Sequence, residues 1–207
     1  MASLFLKSTT TILLIFLTLS IIAKADRRFV LDSDGKPVFN GGRYYMIPQT
    51  IGIGGGLTRT TKDNYTPCPY YVTRDSDETS NGMPLTISSP LKILYLPESS
   101  SVSIAFQEMI TVCIQSLAWR VVSNDLIGKL YVATGGDSFN YKFSIEKAEG
   151  ESRNNVYNIR YFNEQSGKDS NIGFFEDGLL GITDDIPLTV IFKKAFDDIE
   201  EITSTSS

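Results

Sequence analysis

The sequence predicts an all-β fold, and three observations predict it. Short runs rich in β-branched and aromatic residues recur at residues 44–47, 70–73, 91–96, 102–106, 111–114, 119–122, 129–134, 141–145, 157–162, 178–182 and 188–192. Turn formers separate them, among them Asp34-Gly35, Asn40-Gly41-Gly42, Gly54-Gly55-Gly56 and Gly135-Gly136. No 3.6-residue apolar repeat survives over three turns, so no long helix is expected. About a dozen short strands suit a closed barrel or a sandwich, and periodicity does not choose between the two. A weak threefold rhythm links strand endings of similar character at residues 101–106, 140–145 and 187–192.

Residues 1–25 read as a secretory signal peptide. One early charge, Lys7, precedes an apolar run over residues 12–23, and Ala23-Lys24-Ala25 is the small-residue pattern that a signal peptidase cleaves. A run of about 12 residues is too short for the roughly 20 that span a bilayer, so no membrane association is expected after cleavage. The remaining chain suits one domain over residues 26–196. Residues 197–207, acidic and then rich in serine and threonine, read as a disordered tail.

Charge and absences narrow the function. The chain carries 19 basic and 24 acidic residues, a net charge of −5 that deepens when Lys7 and Lys24 leave with the leader. No basic cluster is longer than a pair, so nucleic acid is not an expected partner. The chain has no histidine, which removes Ser-His-Asp, Cys-His and histidine-zinc chemistry. Paired carboxylates remain for glycoside hydrolysis, but Asp184-Asp185 and Asp197-Asp198 are sequence neighbours and read as solvated charge. Neither an enzyme nor a cofactor or metal site is expected. Cys68 and Cys113 are the only cysteines, and in a secreted chain they are expected to form one disulfide, closing a loop of about 46 residues. Asn64-Tyr65-Thr66 is a glycosylation sequon, with Pro67 and Cys68 close enough to hinder transfer. Tyr44-Tyr45 and Tyr70-Tyr71 read as core or cross-strand aromatics before they read as a sugar site.

Residues 30–47 begin strand, turn, strand: Val38-Phe39 and residues 44–47 follow the turns at Asp34-Gly35 and Asn40-Gly41-Gly42. With its aspartate–x–x–glycine–x–x–hydrophobic opening (Asp32, Gly35, Val38) and following tyrosine, this stretch resembles the N-terminal signature of the plant Kunitz family, the soybean-trypsin-inhibitor type. Cys68 and Cys113 fall where that family has its first disulfide. Trp119-Arg120-Val121 looks like its tryptophan-x-valine strand, and residues 186–195 look like its last barrel strand.

The resemblance implies a β-trefoil, a six-stranded barrel capped by three hairpins. It also implies a reversible, substrate-like inhibitor of trypsin-like serine proteases, monomeric and secreted or vacuolar, with a role in plant defence. Ser88, Ser89, Pro90, Leu91, Lys92, Ile93, Leu94 and Tyr95 match the family's reactive loop, with Lys92 at P1 and Ile93 at P1′. Periodicity alone reads residues 91–96 as an ordinary strand with Lys92 turned to water. Asn40 matches the asparagine that supports the loop backbone in the family. The family's common second disulfide is missing: Phe162 and Asp169 lie near the positions of its cysteines, and residues 163–169, with Lys168, read as an unclamped polar loop. That loop is either a flexible surface hairpin or a recognition element for another protease. A non-inhibitory storage or binding protein on the same fold is the alternative function.

Overall fold

The computed structural model describes residues 28–49, 54–62, 66–107, 112–124, 128–150, 155–164 and 167–195. Residues 1–25, read as a signal peptide, Asn64, and residues 197–207 with Asp197 and Asp198 lie outside them. Among the described residues twelve strands run in chain order: β1 Gly42–Pro48, β2 Leu57–Thr60, β3 Tyr71–Arg74, β4 Leu85–Ser88, β5 Ser101–Phe106, β6 Arg120–Asn124, β7 Lys129–Ala133, β8 Phe143–Lys147, β9 Tyr157–Asn163, β10 Lys168–Phe174, β11 Leu180–Ile182 and β12 Thr189–Lys194.

Six of these strands close on themselves. β1 pairs with β4, β4 with β5, β5 with β8, β8 with β9, β9 with β12, and β12 returns to β1 with Tyr44 opposite Lys194 and Met46 opposite Phe192. Closure removes the free sheet edges. The other six form the hairpins β2–β3, β6–β7 and β10–β11. They are joined through Tyr71 opposite Ala133, Tyr131 opposite Gly181, and a bridge between Thr73 and Leu179. The architecture is a β-trefoil of three four-strand units. In each unit a hairpin lies between the first and fourth strands, so the hairpins share one barrel end. The connections between units share the other.

Alternation along the barrel strands builds the core. Tyr44 and Met46 of β1, Leu85 and Ile87 of β4, Phe143 and Ile145 of β8, Tyr157 and Ile159 of β9, and Val190 and Phe192 of β12 all point inward and are buried. Trp119 fills the space beside Phe143 and Phe106, with ring centroids 5.9 and 6.0 Å away. The triplet Gly54-Gly55-Gly56 allows close backbone approach: a Cβ on Gly55 would sit 2.2 Å from the Asp77 carbonyl oxygen. Cys68 and Cys113 are disulfide-bonded, tying the β2–β3 connection to the β5–β6 connection.

Several expectations are corrected. Residues 91–94 form no strand: the Leu91 and Ile93 carbonyls are held by the Asn40 side chain, and no described strand pairs with them. Residues 112–114 form none either. Their alternation is real, with Val112 and Ile114 exposed and Cys113 buried, but the disulfide anchors them and no strand pairs with them. Thr111 lies outside the described residues.

Strands β2, β4 and β10 escape the sequence reading because they are short or polar. Lys168 and Asp169, read as loop, open β10 and stand opposite Asn163 and Phe162. The segment is therefore a paired hairpin, with Gly167 at φ 64° donating to the Asn163 carbonyl at its tip. Phe162 and Asp169 are direct cross-strand partners in the β9–β10 ladder, at the place where the family has its second disulfide. The threefold rhythm also joined unlike elements: residues 101–106 are the first strand of the second unit, whereas the other two runs lead into the fourth strands of the second and third.

Two buried tyrosines tie the segment before β1 to the barrel. The Leu31 amide donates to the Tyr157 hydroxyl at 2.8 Å, and the Phe39 amide donates to that of Tyr44 at 3.0 Å. Burial raises both phenol pKa values, and burial together with the Asp177 carboxylate raises that of Tyr131 to about 12. A phenol whose pKa is higher folded than unfolded contributes stability that is complete below the unfolded value near 10 and is lost as pH rises through the folded one. Absorbance titration at 295 nm is expected to show Tyr44, Tyr131 and Tyr157 ionising late, with Tyr131 last. Denaturation midpoints should fall between about pH 10 and 12, less steeply in Tyr131→Phe. Replacing Cys68 and Cys113 together by serine is expected to lower unfolding free energy by about 2–4 kcal/mol in urea titration.

Candidate functional site

β1 and β4 are antiparallel neighbours, with Gly42 opposite Ile87. The turn leading into β1 therefore lies beside the chain leaving β4, which brings Asn40 next to Ser89. The Asn40-Gly41 turn fixes the approach: Gly41 adopts φ 78°, and its amide donates to the Ile87 carbonyl at 2.7 Å.

The Asn40 side chain is the centre of the site. Its Nδ2 donates to the carbonyls of Leu91 at 3.0 Å and Ile93 at 3.1 Å, with Ser89 at 3.4 Å, while its Oδ1 accepts from the Ser89 amide at 2.8 Å. The two closest carbonyls flank Lys92. The Leu91 amide donates to the Ser89 hydroxyl at 3.3 Å. The Ile93 amide donates to the Leu91 carbonyl at 2.9 Å, forming a three-residue turn centred on Lys92. Lys92 is exposed at the crest, between Leu91 at 49% and Leu94 at 62% exposure, whereas Ser89 is buried beneath them.

The far side of the loop is also fastened. Asn40 donates its own amide to the Leu94 carbonyl and Leu96 donates to Val38, both at 2.9 Å. Phe39 and Tyr95 thus stand directly opposite one another, their ring centroids 5.1 Å apart, and Phe29 meets the other side of Tyr95 at 5.9 Å. The structure brings Asn40 together with Ser89, Leu91 and Ile93 around Lys92, and leaves Pro90 exposed. Ser88, read as the first loop residue, is instead the last residue of β4, opposite Ser103. Tyr95 is the foot of the loop, since it bridges to Phe39.

Other sequence candidates lie elsewhere. Asp184 and Asp185 are exposed in the turn before β12, where the Thr183 hydroxyl accepts from the Asp185 amide at 3.0 Å. Arg59 stacks over Tyr70 at 4.0 Å, and Tyr71 packs edge-on against Tyr131 at 5.9 Å, so both tyrosines are engaged within the hairpin cap. Among the described residues no cluster of His, Cys, Asp or Glu is placed to hold a metal. The aromatic brace of Phe29, Phe39 and Tyr95 was not legible in the sequence. It joins residues more than 50 positions apart, and no local pattern marks such a contact.

The chemistry that this arrangement allows is recognition: a cationic side chain offered to a partner on a backbone held from both sides. Residues 30–194 match the legume Kunitz family, described as trypsin and protease inhibitor. The chain is 35% identical to Kunitz trypsin inhibitor 4 of Arabidopsis thaliana over 188 residues, covering 84% of this chain and 85% of that protein. Its fold is similar to soybean trypsin inhibitor in a complex with porcine pancreatic trypsin, with a TM-score of 0.68, 26% identity and coverage of 81% and 99% of the two chains. It is also similar to a water-soluble chlorophyll protein of Brassica oleracea solved with chlorophyll b, with a TM-score of 0.67, 25% identity and coverage of 82% and 100%, so proteins of this fold differ in what they bind. With the match spanning the barrel, the disulfide and the Asn40-braced loop alike, the chain belongs to the legume Kunitz family of trypsin and protease inhibitors.

Proposed function

We propose that this protein is a secreted inhibitor of trypsin-like serine endopeptidases, with Lys92 as the P1 residue and Lys92–Ile93 as the reactive bond. The observation that carries the reading is the Asn40 side chain, whose amide bonds the carbonyls on both sides of Lys92. The inhibitor supplies no catalytic group. A trypsin-like protease places an aspartate at the base of its S1 pocket, and the ammonium of Lys92 on its apolar stem suits that pocket. Pro90 restricts the loop before docking, and the Asn40 and Tyr95 contacts remove further freedom, so little conformational entropy is lost on binding.

The same contacts explain inhibition in place of turnover. Cleavage of Lys92–Ile93 by the enzyme would leave Leu91 bonded to Asn40 on one side of the cut and Ile93 bonded to it on the other. The new amine then stays beside the acyl carbon at high effective concentration, which favours resealing over release. The leader at residues 1–25 fits delivery to the secretory pathway, where the Cys68–Cys113 bond would form.

Titration of active-site-calibrated trypsin is expected to reach a one-to-one end point, with slow appearance of a new N-terminus at Ile93. No stoichiometric end point at micromolar protein would reject the reading and favour a storage or binding role. Lys92→Glu is expected to weaken inhibition by about a thousandfold or more, since it places like charge in S1, while Lys92→Arg retains it. Asn40→Ala leaves the loop carbonyls without their common donor. It is expected to raise the inhibition constant about 10–100-fold and to speed cleavage of the Lys92–Ile93 bond, checked by inhibition kinetics and N-terminal sequencing.

A further inference from the structure

We infer that a cationic groove beside the reactive loop forms a second contact surface for the protease and selects enzymes whose cleft rim is acidic. The inference rests on Lys92 being the P1 residue. Two adjoining grooves, of about 340 and 280 Å³, meet at Phe39, Tyr44 and Lys194. Their walls bring in Lys36 and Lys193 on one side and Arg43 on the other. Two carboxylates, Asp32 and Asp34, also line the larger groove. Asp32 is buried, and its Oδ1 accepts from the Asp34 and Lys36 amides at 2.9 Å each, so it acts chiefly as a turn brace. Lys193 donates to the Asn81 side chain at 3.1 Å, whereas Lys36 and Lys194 are exposed and make no ion pair among the described residues. Among the described residues this surface carries more cationic than anionic side chains, on a chain whose net charge is −5.

Placement makes the groove part of a docking face. Asn40 precedes β1 and Lys194 ends β12, so both lie at the barrel end that also carries the loop after β4, away from the hairpins. Phe39 is the link. It is 41% exposed, lines both grooves, packs on Tyr95 of the loop, and is bonded covalently to Asn40. A stable protein–protein interface takes about 20–30 residues from each side, far more than residues 89–95 supply. A protease seated on Lys92 therefore also rests on neighbouring surface, and the groove at Phe39 is neighbouring surface. Lysines at the edge of such an interface act mainly on encounter: complementary charge raises the association rate, and salt screens that gain.

The test compares two trypsins of like S1 specificity, one anionic and one cationic, by stopped-flow association with the full protein at about 20 and 300 mM salt. Wild type is expected to associate with the anionic enzyme about tenfold or more faster at low salt, with the difference collapsing at high salt. Lys36→Glu combined with Lys194→Glu should remove that advantage while leaving the dissociation rate and the slow cleavage at Ile93 within about threefold of wild type. The neutral pair Lys36→Gln and Lys194→Gln should fall between the two. This pair also provides the test if the charge-reversed protein does not fold. Equal rates for both enzymes in wild type, or variants that slow both equally, would overturn the inference while leaving Lys92 as P1. Failure of wild type to inhibit either enzyme would overturn both.

Discussion

Closure of the barrel by β12 is the constraint on which the rest depends. β12 pairs with β1 along residues Tyr44–Pro48 and with β9 at Tyr157 and Asn158, so the first and last strands become neighbours. This closes the barrel around Tyr44, Phe143, Tyr157 and Phe192. It also sets the register of β1, and β1 in turn lies against β4. Asn40, in the turn leading into β1, is thereby carried to within hydrogen-bonding reach of the chain after β4, about 50 positions later in sequence. Without that pairing Asn40 is one more turn asparagine.

The loop at Lys92 shows how irregular backbone is stabilised without a strand partner or a covalent clamp. A loop of this kind exposes carbonyls and amides that water would otherwise bind in many geometries. Here one amide side chain donates to Leu91 and Ile93 and accepts from Ser89, and aromatic packing of Tyr95 between Phe29 and Phe39 holds the exit. Each hydrogen bond contributes only about 0.5–1.5 kcal/mol net, so none of them alone fixes the shape. Their effect lies in convergence: the bonds on either side of Lys92 share one donor group, and displacing one carbonyl strains the other.

The same economy appears at the β9–β10 hairpin. Phe162 faces Asp169 across an ordinary ladder, and Gly167 closes the tip, so the paired strands hold without a cross-link. The Cys68–Cys113 bond instead ties the β2–β3 and β5–β6 connections covalently, with Val112 and Ile114 left at the surface. Covalent and hydrogen-bonded restraints therefore divide the loops between them, and the loop at Lys92 relies on the second kind.

The amino-acid sequence by itself determined the class of fold, because alternation at 44–47, 141–145 and 188–192 and the glycine-rich turns are local properties with a period of two. It also removed histidine-dependent chemistry, since a chain without histidine can build neither a Ser-His-Asp or Cys-His site nor a histidine-zinc site. Asn40 and Lys92 were legible only through the family resemblance. Taken on their own, Asn40 was a turn residue and residues 91–96 read as a strand, since β-propensity reports side-chain fit and not the partner on the next strand. Only the tertiary structure decided that no strand lies beside residues 91–94, that Phe39 and Tyr95 meet, that Lys168 begins a strand, and that Lys36 and Lys194 share a groove. The reason is physical: each of these depends on contacts between residues far apart in the chain, and these exist only once the barrel has closed.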